Sequence, residues 1–384
     1  MKITLSGLET NNKGSELMLY AVLQEIERTF PEAKVYVPVN SIKQGLQYVK
    51  SGIKLYQKPI YFFQKVSELI HFKSLLIHLH IPTLWMEDIY AVSGTDYFID
   101  GSGFHFGDQW QRHHYWERRL EKLWKANSKI GAKLVFLPQA FGPFNERYSR
   151  NHLSVMAKYA NLICPREKKS YNYLKDSGVV DLKKIQLFPD FTSLVKGIIP
   201  QSYEHLKGAV CVIPNYRMID KGITTIDNYI SFIKSVIELA EKKGHRVFLL
   251  NHEGKKDEEL IFKCKSLLKG RIEVVTGINA LEVKGIISQS YLVITSRFHG
   301  AASALNTGVP CLATSWSHKY KELFNDYGLH DNILSTDDFN SSLLKIENYL
   351  EEKTNQEVRS LLLSKIPEIQ ELTRSLWKEV WKQE

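Results

Sequence analysis

No uninterrupted apolar run in this sequence approaches the roughly 18 residues that a membrane-crossing helix needs. The opening stretch, MKITLSGLETNNKG, turns polar after Leu8 and so lacks the apolar segment of a secretory leader. Cysteine is scarce: Cys164, Cys211, Cys264 and Cys311 are the only four, no two are close, and no CxxC occurs. That excludes a disulfide framework and a zinc ribbon, fits a reducing compartment, and leaves each thiol as a small buried apolar group. No cluster with metal-ligand spacing is present, and no GxxxxGK[ST] phosphate loop. Internal repeats and low-complexity tracts are also missing. The expectation is a cytosolic chain without a metal.

What is present is ordinary for a globular protein: 384 residues, 43% hydrophobic and 24% charged. That length suits two domains and a sizeable core. The net charge of +9 favours anionic partners: phosphorylated small molecules, acidic glycans or a membrane surface. The positive charge is scattered, and its densest clusters, Lys183-Lys184 and Lys255-Lys256, are short. They read as solvated helix or loop ends, which excludes nucleic acid as a partner.

Short β-branched runs alternate with amphipathic ones. The predicted strands are 3–6, 35–39, 97–100, 133–138, 162–164, 185–188, 209–214, 246–251, 272–276, 292–295 and 310–314, and the predicted helices 15–28, 148–160, 167–175, 226–243, 257–269 and 280–289. This rhythm implies parallel sheets covered on both faces. It breaks at DFTSLVKGIIPQSYEHLKG, 190–208, where Gly197, Pro200 and Gly208 punctuate the chain. Hence the expected organisation: an N-terminal doubly wound domain over 1–195, a C-terminal one over 205–354, a cleft between them, and a helical tail over 355–384. Residues 54–90 are rich in aromatics, His and Lys, with Phe62, Val66, Leu69 and Ile70 at helical spacing. They read either as a core helix with a basic outer face or as a platform at the inner face of a membrane.

In open parallel sheets, ligands sit beyond the carboxyl ends of the strands, where helix N-termini present amides. The loop after the first strand carries Asn12, Gly14 and Glu16, with Ser15 as the expected helix cap. The loop DGSGFHFGD places Gly101 and Gly103 where a backbone approaches something closely, although its third glycine, Gly107, comes one residue late for GxGxxG. Arg166 begins a helix directly after a strand, an unfavourable place for a cation unless an anion is bound. Asn215 follows the strand of VCVIPN, and His252 with Glu253 follows that of VFLL.

The strongest signal is ITSRFHGAASALNTGVP, 294–310. A strand delivers Arg297 and His299 to the rim, Gly300 allows tight backbone passage, and a small-residue helix follows. Arg297 has the geometry to clamp a phosphate or carboxylate, and His299 exchanges protons near neutral pH. The competing structural reading pairs Arg297 with a buried carboxylate. The next post-strand loop, SWSHKY, offers Ser317, His318, Lys319 and Tyr320 to the same rim, Lys319 as a second anion contact.

SRFHGAASALNTGVPCLATSWSHKYKEL resembles the signature of the polysaccharide pyruvyl transferases. NNKGSELML, DGSGFHFGD, PQAFGPF, CPRE and IPN are similar to that family's supporting motifs, over roughly 1–330. The resemblance implies two Rossmann-like domains of GT-B type, phosphoenolpyruvate as donor, and as acceptor a sugar of a cell-surface polysaccharide or its lipid-linked precursor. The implied product is a pyruvate ketal, with phosphate released and no nucleotide or redox cofactor. His299 would then be the general acid or base. Arg297 would hold the donor, helped by Arg166, Lys319, His318, Gly300 and Asn215. The Asn12, Gly14, Glu16, Gly101, Gly103, His252 and Glu253 positions would face the acceptor.

Two other classes remain open on sequence grounds. One is a GT-B glycosyltransferase using a nucleotide sugar, for which Glu253 is the tempting ribose ligand. The other is a non-catalytic glycan- or membrane-binding protein working through 54–90.

Overall fold

The computed structural model describes residues 1–10, 12–36, 95–110, 121, 124–125, 127–268, 271–315, 317, 319–335 and 338–382. The segment 54–90 and His318 lie outside the described residues. Contacts divide the chain into two compact units: Met1–Thr10, Val22–Pro189 and Arg374–Glu384 form one, and Asn11–Ala21 with Asp190–Thr373 the other.

The first unit contains a five-stranded parallel sheet. Its strands are β1 (Lys2–Ser6), β2 (Lys34–Tyr36), β3 (Tyr97–Asp100), β4 (Lys133–Gln139) and β5 (Leu162–Pro165), in the order β2-β1-β3-β4-β5. Helix α1 (Lys13–Thr29) follows β1; α2 (Arg147–Tyr159) and α3 (Lys168–Asp176) flank β5. The order reverses between β1 and β3, and there Gly7 and Gly101 are used for packing. A methyl carbon on Gly7, at φ 69°, would lie 2.1 Å from Ser102 Oγ; one on Gly101 would lie 2.6 Å from a Leu8 methyl.

The second unit contains six parallel strands: β6 (Val210–Ile213), β7 (Val247–Leu250), β8 (Glu273–Val275), β9 (Leu292–Thr295), β10 (Cys311–Thr314) and β11 (Ile333–Leu334). Their order is β11-β10-β9-β6-β7-β8, which reverses between β6 and β9. The intervening helices are α4 (Arg217–Asp220), α5 (Ile226–Lys242), α6 (Gly254–Leu267), α7 (Ala280–Ser288), α8 (Phe298–Asn306), α9 (Lys319–Asp326), α10 (Phe339–Leu350) and α11 (Glu352–Trp381). Strand side chains alternate between two cores. Cys211 and Ile213 of β6 join one with Ala301 and Leu305 of α8, whereas Val210 and Val212 join another with Val236 of α5 and Ile261 of α6. Both faces are thus covered, which is why these strands read as continuous apolar runs.

The doubly wound parallel fold expected from the rhythm is present, as is the C-terminal helix. One expected strand is not. Of 185–188 only Ile185 makes a bridge, parallel to Ile163, although the Gln186 and Phe188 N–H groups also donate to the Ile163 and Pro165 carbonyls at 3.1 and 3.2 Å. The helix predicted from Asp257 begins at Gly254, so Asp257 sits in its first turn. Among the described residues no helix is long and apolar enough to cross a membrane. All four cysteines are buried and free.

Candidate active site

In a doubly wound sheet the crevice opens where strand order reverses, here beyond the ends of β6 and β9. The loop after β9 is held rigidly. The Ser296 carbonyl accepts from Asn215 Nδ2 at 2.7 Å and from the Tyr320 hydroxyl at 2.7 Å. Ser296 Oγ lies 2.5 Å from both the Tyr229 hydroxyl and Thr314 Oγ1. The Asn215 amide also accepts the Arg217 N–H at 2.9 Å. Burial pushes Tyr229 up to about 12, so it stays a hydroxyl donor. This bracing fixes the residue that follows, Arg297.

Arg297 caps the start of α8 with its backbone and turns its guanidinium onto two carboxylates. Nε and Nη2 reach Asp257 Oδ2 at 2.8 and 2.5 Å, and Nη1 pairs with Glu253. The structural reading of Arg297 therefore holds in this state. One N–H remains on each terminal nitrogen to meet an anion. Asp257 is buried and accepts the Tyr216 N–H at 2.9 Å. Burial pushes its carboxyl up to about 7 and pulls Arg297 down to about 10; the guanidinium at hydrogen-bond distance opposes the first shift. Arg217, Lys255, Lys256 and Arg297, interleaved with Asp220, Glu253 and Asp257, line a hollow of about 240 Å³ at the start of α6. Neither α6 nor α8 carries a side-chain cap, whereas α5 is capped by Thr225 and α7 by an Asn279–Glu282 capping box.

His299 lies in the first turn of α8, 13% exposed, with Nε2 3.4 Å from Asp190 Oδ2. Its other edge meets the start of α1: a methyl carbon on Gly14 would lie 2.2 Å from His299 Nδ1. Asn12, not Ser15, caps that helix, its Oδ1 accepting the N–H groups of Gly14 at 2.8 Å and Ser15 at 3.3 Å. The Asn12 backbone pairs with that of Glu253 in an antiparallel bridge. Lys13 bonds the buried Glu16 at 2.6 Å. His252 is buried, and burial, Arg297, His299 and Lys13 hold it well below the usual histidine range, as a neutral imidazole.

The second unit thus gathers Asn12, Gly14, Glu16, Asn215, His252, Glu253, Arg297, His299, Gly300 and Lys319. Their parts differ from the expected ones. Asn215 spends its side chain on backbone groups. Gly300 brings α8 against the sheet, where a methyl carbon would lie 2.8 Å from Thr295 Oγ1. Lys319 lies over the Phe298 ring, 5.3 Å from its centroid. Arg166, Gly101 and Gly103 belong to the first unit. There Arg166 is buried, with Nε 3.7 Å from Glu167, and Gly103 accepts the Ala140 N–H at 3.0 Å. Sequence reasoning missed Asp190, Asp257, Tyr229 and Lys284, and offered Tyr320 to the rim without its bond to Ser296. Of these only Asp257, four residues past Glu253 at a helix start, left a spacing that could have been read.

No curated protein matches this sequence. Solved structures do. A UDP-N-acetylglucosamine 2-epimerase superposes with TM-score 0.62 at 12% identity, over 99% of this chain and 94% of that one. Anabaena HepE in complex with UDP and glucose gives 0.59 at 10%, over 100% and 98%. A putative UDP-N-acetylglucosamine 2-epimerase from Listeria monocytogenes gives 0.58 at 15%, over 94% and 90%. At such identities the likeness shows the fold alone, which is GT-B-like. The family model for polysaccharide pyruvyl transferase matches residues 12–318. The chain therefore belongs to the polysaccharide pyruvyl transferase family of enzymes.

Proposed function

We propose that this protein transfers the pyruvyl group of phosphoenolpyruvate to two hydroxyls of one sugar, in a cell-surface polysaccharide or its precursor, using His299 for proton transfer and Arg297 for the donor's anionic groups. The observation that carries this reading is the meeting of Gly14 with His299 inside the span that the family model matches.

His299 gives a proton to the enol CH2 carbon, and the neighbouring carbon takes on oxocarbenium character. A sugar hydroxyl attacks that carbon and returns its proton to His299. A second hydroxyl of the same sugar then displaces phosphate, its proton leaving with the phosphate. One donor and one diol give one ketal and one phosphate. The remaining N–H on each terminal nitrogen of Arg297 meets the donor, and Lys255 and Lys256 add positive charge around the same hollow. Fixed positive charge aimed at a departing phosphate is a large share of catalysis in such sites. His252, neutral, accepts or donates a hydrogen bond without competing for the proton.

The nucleotide-sugar reading rests on fold likeness, and its ribose ligand, Glu253, is committed to Arg297. The test is to incubate the purified chain with phosphoenolpyruvate and a panel of sugar acceptors, following phosphate release and the mass gain of one pyruvyl group. Turnover that vanishes in His299→Ala supports the proposal. No phosphate release, with a rise in melting temperature on adding a UDP-sugar but not phosphoenolpyruvate, overturns it.

A further inference from the structure

Next to His299 lies a second set of charged groups that the proposed chemistry does not use. Asp190 is buried; its Oδ1 accepts the Thr192 N–H at 3.0 Å and the Thr192 hydroxyl at 2.5 Å, capping the 3₁₀ turn Phe191–Leu194. Its Oδ2 faces His299 Nε2 at 3.4 Å. Lys284 of α7 is 1% exposed, and its Nζ donates to the Thr192 carbonyl at 2.8 Å, on the same turn. Burial pulls Lys284 down to about 8, and Asp190 pushes the other way.

A buried lysine is costly, and its placement has a visible cause. The segment after Asp190 is pressed onto α7 through two glycines. A methyl carbon on Gly197 would lie 2.3 Å from the Gly285 nitrogen, and one on Gly285 would lie 2.1 Å from the Ile198 carbonyl oxygen. The Ile198 N–H donates to the Leu281 carbonyl at 2.9 Å. Lys284, next to Gly285, has nowhere to go but against the Thr192 turn. The Asn306 amide reaches Thr192 Oγ1 at 3.4 Å and accepts from the Tyr327 hydroxyl. Among the described residues, His299, Lys284 and Tyr327 are titratable groups around this carboxylate, and Tyr327 is held protonated by burial and by Asp190. His299 in turn also faces His252.

We infer that Asp190 is a positioning residue: it holds the Nε2 edge of the His299 ring, fixing orientation and tautomer for proton transfer, on a turn that buried Lys284 anchors through the Thr192 carbonyl. A carboxylate behind an imidazole sets which nitrogen carries the proton and favours the imidazolium form. The inference rests on the reading of His299 as the proton-transfer group.

The test uses Asp190→Asn in the full chain. Asparagine retains the oxygen that caps the Thr192 turn, so the variant removes the charge facing His299 and leaves the turn its acceptor. The expected result is a fall in kcat of at least tenfold, with KM for phosphoenolpyruvate within about threefold. The His299 ring ¹⁵N signals should shift in the same variant, and Asp190→Glu should recover part of the kcat. Lys284→Met, which keeps the length of the side chain, should move kcat and the ring signals in the same direction. Should the asparagine variant melt cooperatively yet keep wild-type kcat and ring signals, the inference is overturned. Should His299→Ala turn over normally, the parent reading fails instead, whatever Asp190→Asn does.

Discussion

Gly14 leaves no room for a side chain beside the His299 ring: a methyl carbon there would lie 2.2 Å from Nδ1. Gly14 belongs to the first turn of α1, and its φ is not left-handed. Its small size therefore serves the contact and not the backbone. Alanine is about 1 kcal/mol better than glycine within a helix, so Gly14→Ala would stabilise α1 if His299 could move aside. We expect turnover to fall by about 100-fold, the scale of a catalytic group displaced by an ångström, with only a small change in melting temperature. Combining it with His299→Ala should raise the melting temperature above that of His299→Ala alone. A double variant less stable than the single one would mean that Gly14 serves something other than the ring.

That contact shows what could be read from the sequence and what could not. The alternation of strands and helices revealed the parallel sheets, because a strand buried on both faces must be apolar throughout. SRFHG marked its own importance, because a cation and an imidazole at a strand end have no reason to be there in a plain turn. The neighbours of that motif were hidden. Gly14 read as part of a turn in a different domain, yet it groups with the second unit, as does all of α1 up to Ala21. Asp190 sat in a stretch that looked like a linker. Tyr229 sat on an ordinary amphipathic helix, and only its hydrogen bond to Ser296 separates it from a plain core aromatic. Long-range pairing of this kind has no period and no local spacing for a sequence to display.

Asp257 makes stability depend on pH in a direction opposite to most carboxylates. Its folded-state carboxyl is raised to about 7 from 3.8 by burial. The folded protein then holds this proton more tightly than the unfolded chain does. The associated stability is complete below the unfolded value and is lost as pH climbs through about 7. Asp257→Asn removes the titration. Urea titrations from pH 4 to pH 8 should show the wild type losing stability relative to the variant, by at most about 4 kcal/mol. Arg297, bonded to the same oxygen, reduces that figure. A parallel pair of stability curves would show the carboxylate ionised throughout.

Lys284 gives a second, alkaline window. Burial depresses it to about 8 from 10.5, so the unfolded chain holds its proton more tightly. Above 10.5 the lysine is neutral in both states and no penalty arises; as pH falls from there to about 8 the unfolded chain takes up the proton while the folded one does not, and stability is lost. Compared with Lys284→Met, the wild type should gain up to about 3 kcal/mol between those two values. Chemical denaturation at pH 7.5, 9 and 10.5 measures the difference, and a constant gap between the two proteins would contradict the burial argument.

The Ser296 carbonyl accepts two hydrogen bonds from different elements, Asn215 Nδ2 and the Tyr320 hydroxyl, and this redundancy has a measurable signature. Tyr320→Phe leaves the carbonyl still bonded to Asn215, so the cost should be near 1 kcal/mol, the net worth of one neutral hydrogen bond. Asn215→Ala removes the Ser296 bond and the acceptor for the Arg217 N–H together, and should cost about 2 kcal/mol. The double variant leaves a buried carbonyl without either donor, so its destabilisation should exceed the sum by roughly 1 kcal/mol. Activity should follow the same pattern, because Ser296 sets where Arg297 begins. Each single variant should raise KM for phosphoenolpyruvate by a few-fold, and the double variant should lower kcat/KM by about 100-fold. Simple additivity in both stability and kcat/KM would show that the two donors act on separate parts of the site and that the Ser296 peptide is held by its hydroxyl contacts instead.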